Sequence, residues 1–133
     1  MDAKKVLIKE EYDIVIARSL VKSMAKELGF GIVAQTKIAT AVSELARNIT
    51  THAKEGAIEI REVHGEEGER EGLEIIASDH GPGIANIAQA MKDGYTSGGG
   101  LGLGLGGTKR LMDEFEIKSV VDSGTMVRVR KWM

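Results

Sequence analysis

The sequence predicts an α+β chain: a two-layer α/β sandwich, with one mixed, mostly antiparallel sheet carrying helices on one face. Helical periodicity dominates residues 13 to 52, while paired alternating segments dominate the second half. That order suits one sheet beneath helices, not the strict strand–helix alternation of a doubly wound fold. Glycine is also unevenly spread. It makes up 17 of 133 residues, and ten of the 17 fall between Gly81 and Gly107, against a usual share of ~7%. The length is that of one ordinary domain, so residues 1–133 are expected to form a single unit.

Val6–Glu10 reads as a short edge strand. Asp13 is the expected N-cap of a helix carrying Ile14, Ala17, Leu20, Val21, Met24 and Leu28 on one side, closed by Gly29. A second helix is predicted from Val33 to His52, with Ile38, Ala41, Val42, Leu45 and Ile49 as its apolar stripe. Ala57–Val63 and the apolar Leu73–Ser78 read as two strands joined by a charged, glycine-rich turn over residues 65–72. Ile84–Lys92 is expected as a short helix, and Asp93–Gly107 shows no regular pattern before helix resumes over Thr108–Glu114. Phe115–Val121 and Thr125–Trp132 close the chain as a hairpin about Asp122-Ser-Gly124.

A net charge of −2 carries no broad attraction to nucleic acid or an anionic membrane, and neither partner is expected. The longest apolar run, Ile14–Ala17, is far too short for a spanning helix or a signal core. Cysteine is absent, which excludes disulfides, thiolate metal sites and cysteine nucleophiles. A reducing cytoplasm is the expected compartment.

Three clusters carry candidate chemistry. At about 100° per residue, Glu44 taken as zero puts Asn48 near 40° and His52 near 80°, on the border of a stripe spanning about 60° to 160°. A carboxylate, a carboxamide and an imidazole could thus share a pocket wall, although ordinary boundary polar groups have the same spacing. Next, Asp79 ends an apolar strand and is followed by His80-Gly-Pro-Gly83, fixing a carboxylate beside closely approachable backbone. Such a carboxylate can accept from an exocyclic amine like that of adenine. Third, Gly98 to Gly107 offers consecutive backbone N–H groups to an anion ahead of a helix. A P-loop is excluded because Lys109 follows Thr108 rather than preceding it. The dinucleotide pattern fits formally at Gly102, Gly104 and Gly107, with Asp122 beyond, but residues 91–97 do not supply the strand it requires.

In this order and spacing the three clusters resemble the Bergerat-fold ATPases, the GHKL superfamily of gyrase, Hsp90, histidine kinases and MutL. Glu44-Leu-Ala-Arg-Asn48 looks like the N box, Asp79-His-Gly-Pro-Gly83 the G1 box and Gly100-Leu-Gly-Leu-Gly104 the G2 box, with Gly124-Thr125 similar to the last nucleotide-contacting pair. The chain is most similar to that superfamily's small serine/threonine switch kinases. A length of 133 residues is expected to leave no room for a transducer domain, and His52, His64 and His80 are not expected to sit on an upstream dimerisation helix.

The resemblance implies ATP and Mg²⁺ as cofactors, with Asn48 helping to hold the metal. Asp79 would receive the adenine amino group, with Gly81, Gly83 and Thr125 around it. Gly98, Gly99, Gly100, Leu101, Gly102 and Gly104 would wrap the phosphates as a lid, and Glu44 would be the base for an attacking serine hydroxyl. Implied partners are STAS-domain substrates of a stressosome-like complex and a PP2C-type phosphatase; a homodimer is a further option. The alternative is an anti-sigma factor that sequesters a sigma subunit, its kinase activity secondary. One departure stands out: residues 93–108 contain no Arg or Lys, whereas some switch kinases carry an arginine there. Charge on the terminal phosphate then falls to the metal, backbone amides, Arg47, Lys109 or a partner.

Overall fold

In a computed structural model of the chain the described residues are 1–66, 68, 70–92 and 104–133, with the backbone alone of 96–97 and 101–102. The elements run β1 (Lys4–Ile8), α1 (Glu11–Leu28), α2 (Ile32–Asn48), a π-helical turn (Ile49–Ala53), β2 (Gly56–His64), β3 (Glu71–Asp79) and α3 (Ile87–Ala90). They continue with β4 (Thr96–Ser97), β5 (Leu101–Gly102), α4 (Leu105–Leu111), β6 (Glu114–Val120) and β7 (Gly124–Trp132). The main sheet has the order β1-β2-β3-β7-β6, and each of its pairings is antiparallel. The predicted α+β architecture is the one observed, with the sheet more uniform than the mixed one expected.

Alternation along the strands decides the layers. Val6, Ile8, Ile58, Ile60, Ile75, Ala77, Val127 and Val129 are buried together with Ile14, Ala17, Val21 and Met24 of α1 and Ile38, Val42 and Leu45 of α2. Full burial of the Val, Leu, Ile and Met side chains among these is worth about 1.5–3 kcal/mol each. The opposite face of the sheet is polar at its centre. Glu74 is 0% exposed and accepts from Arg61 on β2 and Arg130 on β7, both at 2.6 Å. Burial alone would raise its carboxyl, but the two guanidinium partners outweigh that and hold it below the usual range.

Strand ends shift by one or two residues from the sequence expectation, β1 to Lys4–Ile8 among them, and α4 ends at Leu111 rather than Glu114; the helices differ further. Asp13 is the third residue of α1, not its N-cap. Its carboxylate reaches back to accept the backbone N–H groups of Lys9 (2.9 Å) and Glu10 (3.1 Å), so that the N-cap is Glu10 rather than Asp13 and the helix starts earlier than expected. The second helix does not run evenly to His52: after Asn48 it widens into the π-helical turn. The helix expected over 84–92 shrinks to Ile87–Ala90, started by Asn86, whose side chain accepts the Gln89 N–H at 3.0 Å. Finally, α4 begins at Leu105 rather than Thr108, because Leu105, Thr108 and Met112 are buried and tertiary packing overrides the poor helix propensity of Gly106 and Gly107.

Candidate nucleotide site

The strand ends build one wall of the site. The register of β3 and β7 sets Asp79 opposite Thr125. The Asp79 carboxylate accepts, at Oδ1, the backbone N–H of Gly81 (2.9 Å) and of Thr125 (3.3 Å). One oxygen is thereby held by backbone while the group still lines a cavity. Gly81 lacks a side chain because Ala53 of the π-helical turn occupies that space; a Cβ there would lie 2.6 Å from the Ala53 methyl.

Gly83 has a left-handed backbone (φ 75), and a Cβ on it would overlap the Val120 carbonyl. Its freedom therefore serves the docking of the post-β3 loop on the β6–β7 hairpin. The Asp122 N–H donates to the Pro82 carbonyl at 2.8 Å and completes that contact.

The helices supply the facing wall. The cavity, of about 370 Å³, is lined by Asn48, His52 and Ala53 from one side and by Asp79, Gly83 and Thr125 from the other. Leu45, Ile49, Ala77, Ile84, Leu105 and Val127 add an apolar lining. A largely apolar cavity with one fixed carboxylate suits a purine ring bearing an amino group. The π-helical turn matters here, since such turns redirect side chains and often occur at functional sites. Burial pushes the His52 imidazole below its ordinary value, against a smaller opposing pull from Asp79.

Glu44 lies one helical turn before Asn48 and is half-buried. It packs on Gly104, the left-handed residue (φ 65) that opens α4, and a Cβ at Gly104 would overlap its carboxylate. Glu44 thus sits beside the anchor of the glycine loop, outside the described lining of the cavity. Gly98, Gly99 and Gly100 lie outside the described residues, while Leu101 and Gly102 pair as β5 with β4. Since the main sheet is antiparallel and Asp122 is tied to Pro82 in a hairpin turn, the dinucleotide reading has no βαβ unit to rest on.

Sequence reasoning missed Ser119. Its hydroxyl lies 2.8 Å from the Thr125 hydroxyl, accepts the Ile84 N–H at 2.7 Å and reaches the Gly124 carbonyl at 3.3 Å. Pairing the closing hairpin residue by residue from its turn would have placed Ser119 opposite Thr125. The apolar lining was missed as well, because nothing in its pattern separates it from core.

A family model for the histidine kinase-like ATPase domain matches residues 9–131, and the chain belongs to that family. This agrees with the superfamily read from the motifs. Within the family it is 52% identical to serine/threonine-protein kinase RsbT of Bacillus subtilis, over 99% of this chain and 98% of that protein. The chain is accordingly a serine/threonine protein kinase of the RsbT-like, partner-switching kind. It is also 33% identical to the anti-sigma F factor of Thermoanaerobacter sp. (strain X514), over 88% of this chain and 83% of that protein. Two solved structures share the fold. The RsbU and RsbW domains of Rv1364c from Mycobacterium tuberculosis match with TM-score 0.62 at 14% identity, over 98% of this chain and 32% of that longer one. The SiaB–SiaC complex from Pseudomonas aeruginosa matches with TM-score 0.60 at 11% identity, over 100% of this chain and 90% of that one.

Proposed function

We propose that this kinase transfers the terminal phosphoryl group of ATP to a serine or threonine of STAS-domain proteins in a stressosome-like cytoplasmic complex. Once released, it binds and activates a PP2C-type phosphatase. The observation that carries the reading is the single cavity shared by Asn48 from the helix layer and Asp79 and Thr125 from the sheet.

In this reading Asp79 accepts a hydrogen from the adenine amino group with the oxygen not engaged by backbone, while Leu45, Ile84 and Val127 help enclose the ring. The acceptor hydroxyl attacks the γ-phosphorus, the bond to the bridging β–γ oxygen breaks, ADP leaves, and the hydroxyl proton passes to Glu44. Family membership implies Mg²⁺, and the donors fit it. Asn48 offers a neutral carboxamide on the cavity wall, and Mg²⁺ commonly takes few protein oxygens beside phosphates and water. Bound there, the ion would neutralise charge on the phosphate oxygens. Residues 93–108 contain no Arg or Lys. Charge on the terminal phosphate is therefore left to the ion, to backbone amides, to the exposed Arg47 and Lys109 or to a partner, and turnover without partner should be slow.

The test is incubation of the full chain with labelled ATP, Mg²⁺ and a candidate STAS protein. Phosphoserine or phosphothreonine on that protein is expected; bound ATP without transfer would refute the substrate assignment. The relation to anti-sigma F factors favours a second reading, sequestration of a sigma subunit. Co-purification of a sigma subunit, but no STAS protein, would select it.

A further inference from the structure

We infer that Ser119 is a positioning residue for base selection, acting through Thr125; this rests on the nucleotide reading of the cavity. Ser119 does not line the cavity, whereas Thr125 does. A serine hydroxyl has one hydrogen and two acceptor positions. The Ile84 N–H occupies one acceptor position at 2.7 Å. The Ser119 and Thr125 hydroxyls lie 2.8 Å apart and either can donate; the Gly124 carbonyl, the other acceptor for the Ser119 hydrogen, is farther off at 3.3 Å, which favours Ser119 donating to Thr125.

With Ser119 donating, the hydrogen of Thr125 is released toward the cavity. The wall then presents an acceptor, the Asp79 carboxylate, beside a donor, the Thr125 hydroxyl. The edge of adenine has the complementary order, an amino donor next to a ring-nitrogen acceptor. Guanine has the reverse, a carbonyl next to a ring N–H, and meets like with like at both positions. Ser119 also fastens the loop that carries Ile84 to the same hydroxyl. Thus one side chain sets both the height of the lining and the polarity of its donor.

The experiment is calorimetric titration of the full chain with ATP and with GTP, for wild type, Ser119→Ala, Ser119→Cys and Ser119→Thr. Wild type should prefer ATP. Ser119→Ala should lower the ATP-to-GTP affinity ratio about five- to tenfold, the scale of one hydrogen bond. Ser119→Cys, which fills the space with a weak hydrogen-bonding group, should move the ratio in the same direction even if the alanine variant is too unstable to titrate. Ser119→Thr should retain the wild-type ratio. On a Thr125→Val background, Ser119→Cys should leave the ratio unchanged, because the route through Thr125 is gone.

A merely structural serine would weaken both nucleotides alike. An unaltered ratio in the alanine and cysteine variants, with ATP still bound, would overturn the inference while sparing the nucleotide reading. A wild-type chain that binds no ATP would remove the reading itself.

Discussion

The two ends of the candidate site, the cavity wall at the strand ends and Glu44 just outside its described lining, are built by different means. At the strand end, Asp79 and Thr125 are held by register and by hydrogen bonds to backbone and to Ser119. At the helix end, Glu44 owes its place to packing on Gly104 and to its position one turn before Asn48. The first arrangement is set before any ligand arrives, as base recognition requires. The second leaves the group proposed for chemistry against the anchor of the glycine loop, so its setting depends on how that loop sits. Binding and transfer should therefore be separable by mutation.

The largest effect is expected for Glu44→Ala. Loss of a general base should slow phosphoryl transfer about 10²–10⁴-fold, while ATP affinity by calorimetry stays near wild type. If affinity and folding collapse together, Glu44 belongs to the scaffold and the contrast between the two ends fails.

Asp79→Asn should weaken ATP binding roughly 10–100-fold, the scale of a hydrogen bond to a charged group. The amide oxygen can still serve Gly81 and Thr125, so the thermal midpoint should scarcely move; a large fall would show that the carboxylate is chiefly structural.

Gly83→Ala should act the other way, on stability. Its left-handed backbone and the Val120 carbonyl leave no room for a methyl group, and a cost of about 1–3 kcal/mol is expected from denaturant midpoints.

The smallest effect concerns pH. His52 holds a proton less readily folded than unfolded, so its contribution to stability is intact above the unfolded value and declines as pH falls through that value toward the lowered folded one. Urea midpoints should drop less between pH 7.5 and 5.5 in His52→Gln than in wild type. Equal slopes would remove His52 from the acid response.

Much of this was legible in the sequence because both periodicities were strong. The apolar stripe of α2 and the paired strands about residues 65–72 and 122–124 gave the layers, and Asp79 was recognisable from its place between an apolar strand and Gly-Pro-Gly. What was not legible came from contacts between distant segments. The π-helical turn after Asn48 leaves no composition signal and only becomes meaningful where Ala53 meets Gly81. The early start of α4 depends on Leu105 and Thr108 finding burial. Ser119 carries no signal of its own within its strand and gains its place only where the hairpin register sets it beside Thr125.

The shared-site claim is tested most directly by a crystal structure of the full chain with Mg²⁺ and a non-hydrolysable ATP analogue. The adenine amino group should lie within hydrogen-bonding distance of the Asp79 carboxylate, with the phosphates running toward Asn48. A nucleotide bound elsewhere, or one with its phosphates directed away from Asn48, would contradict it.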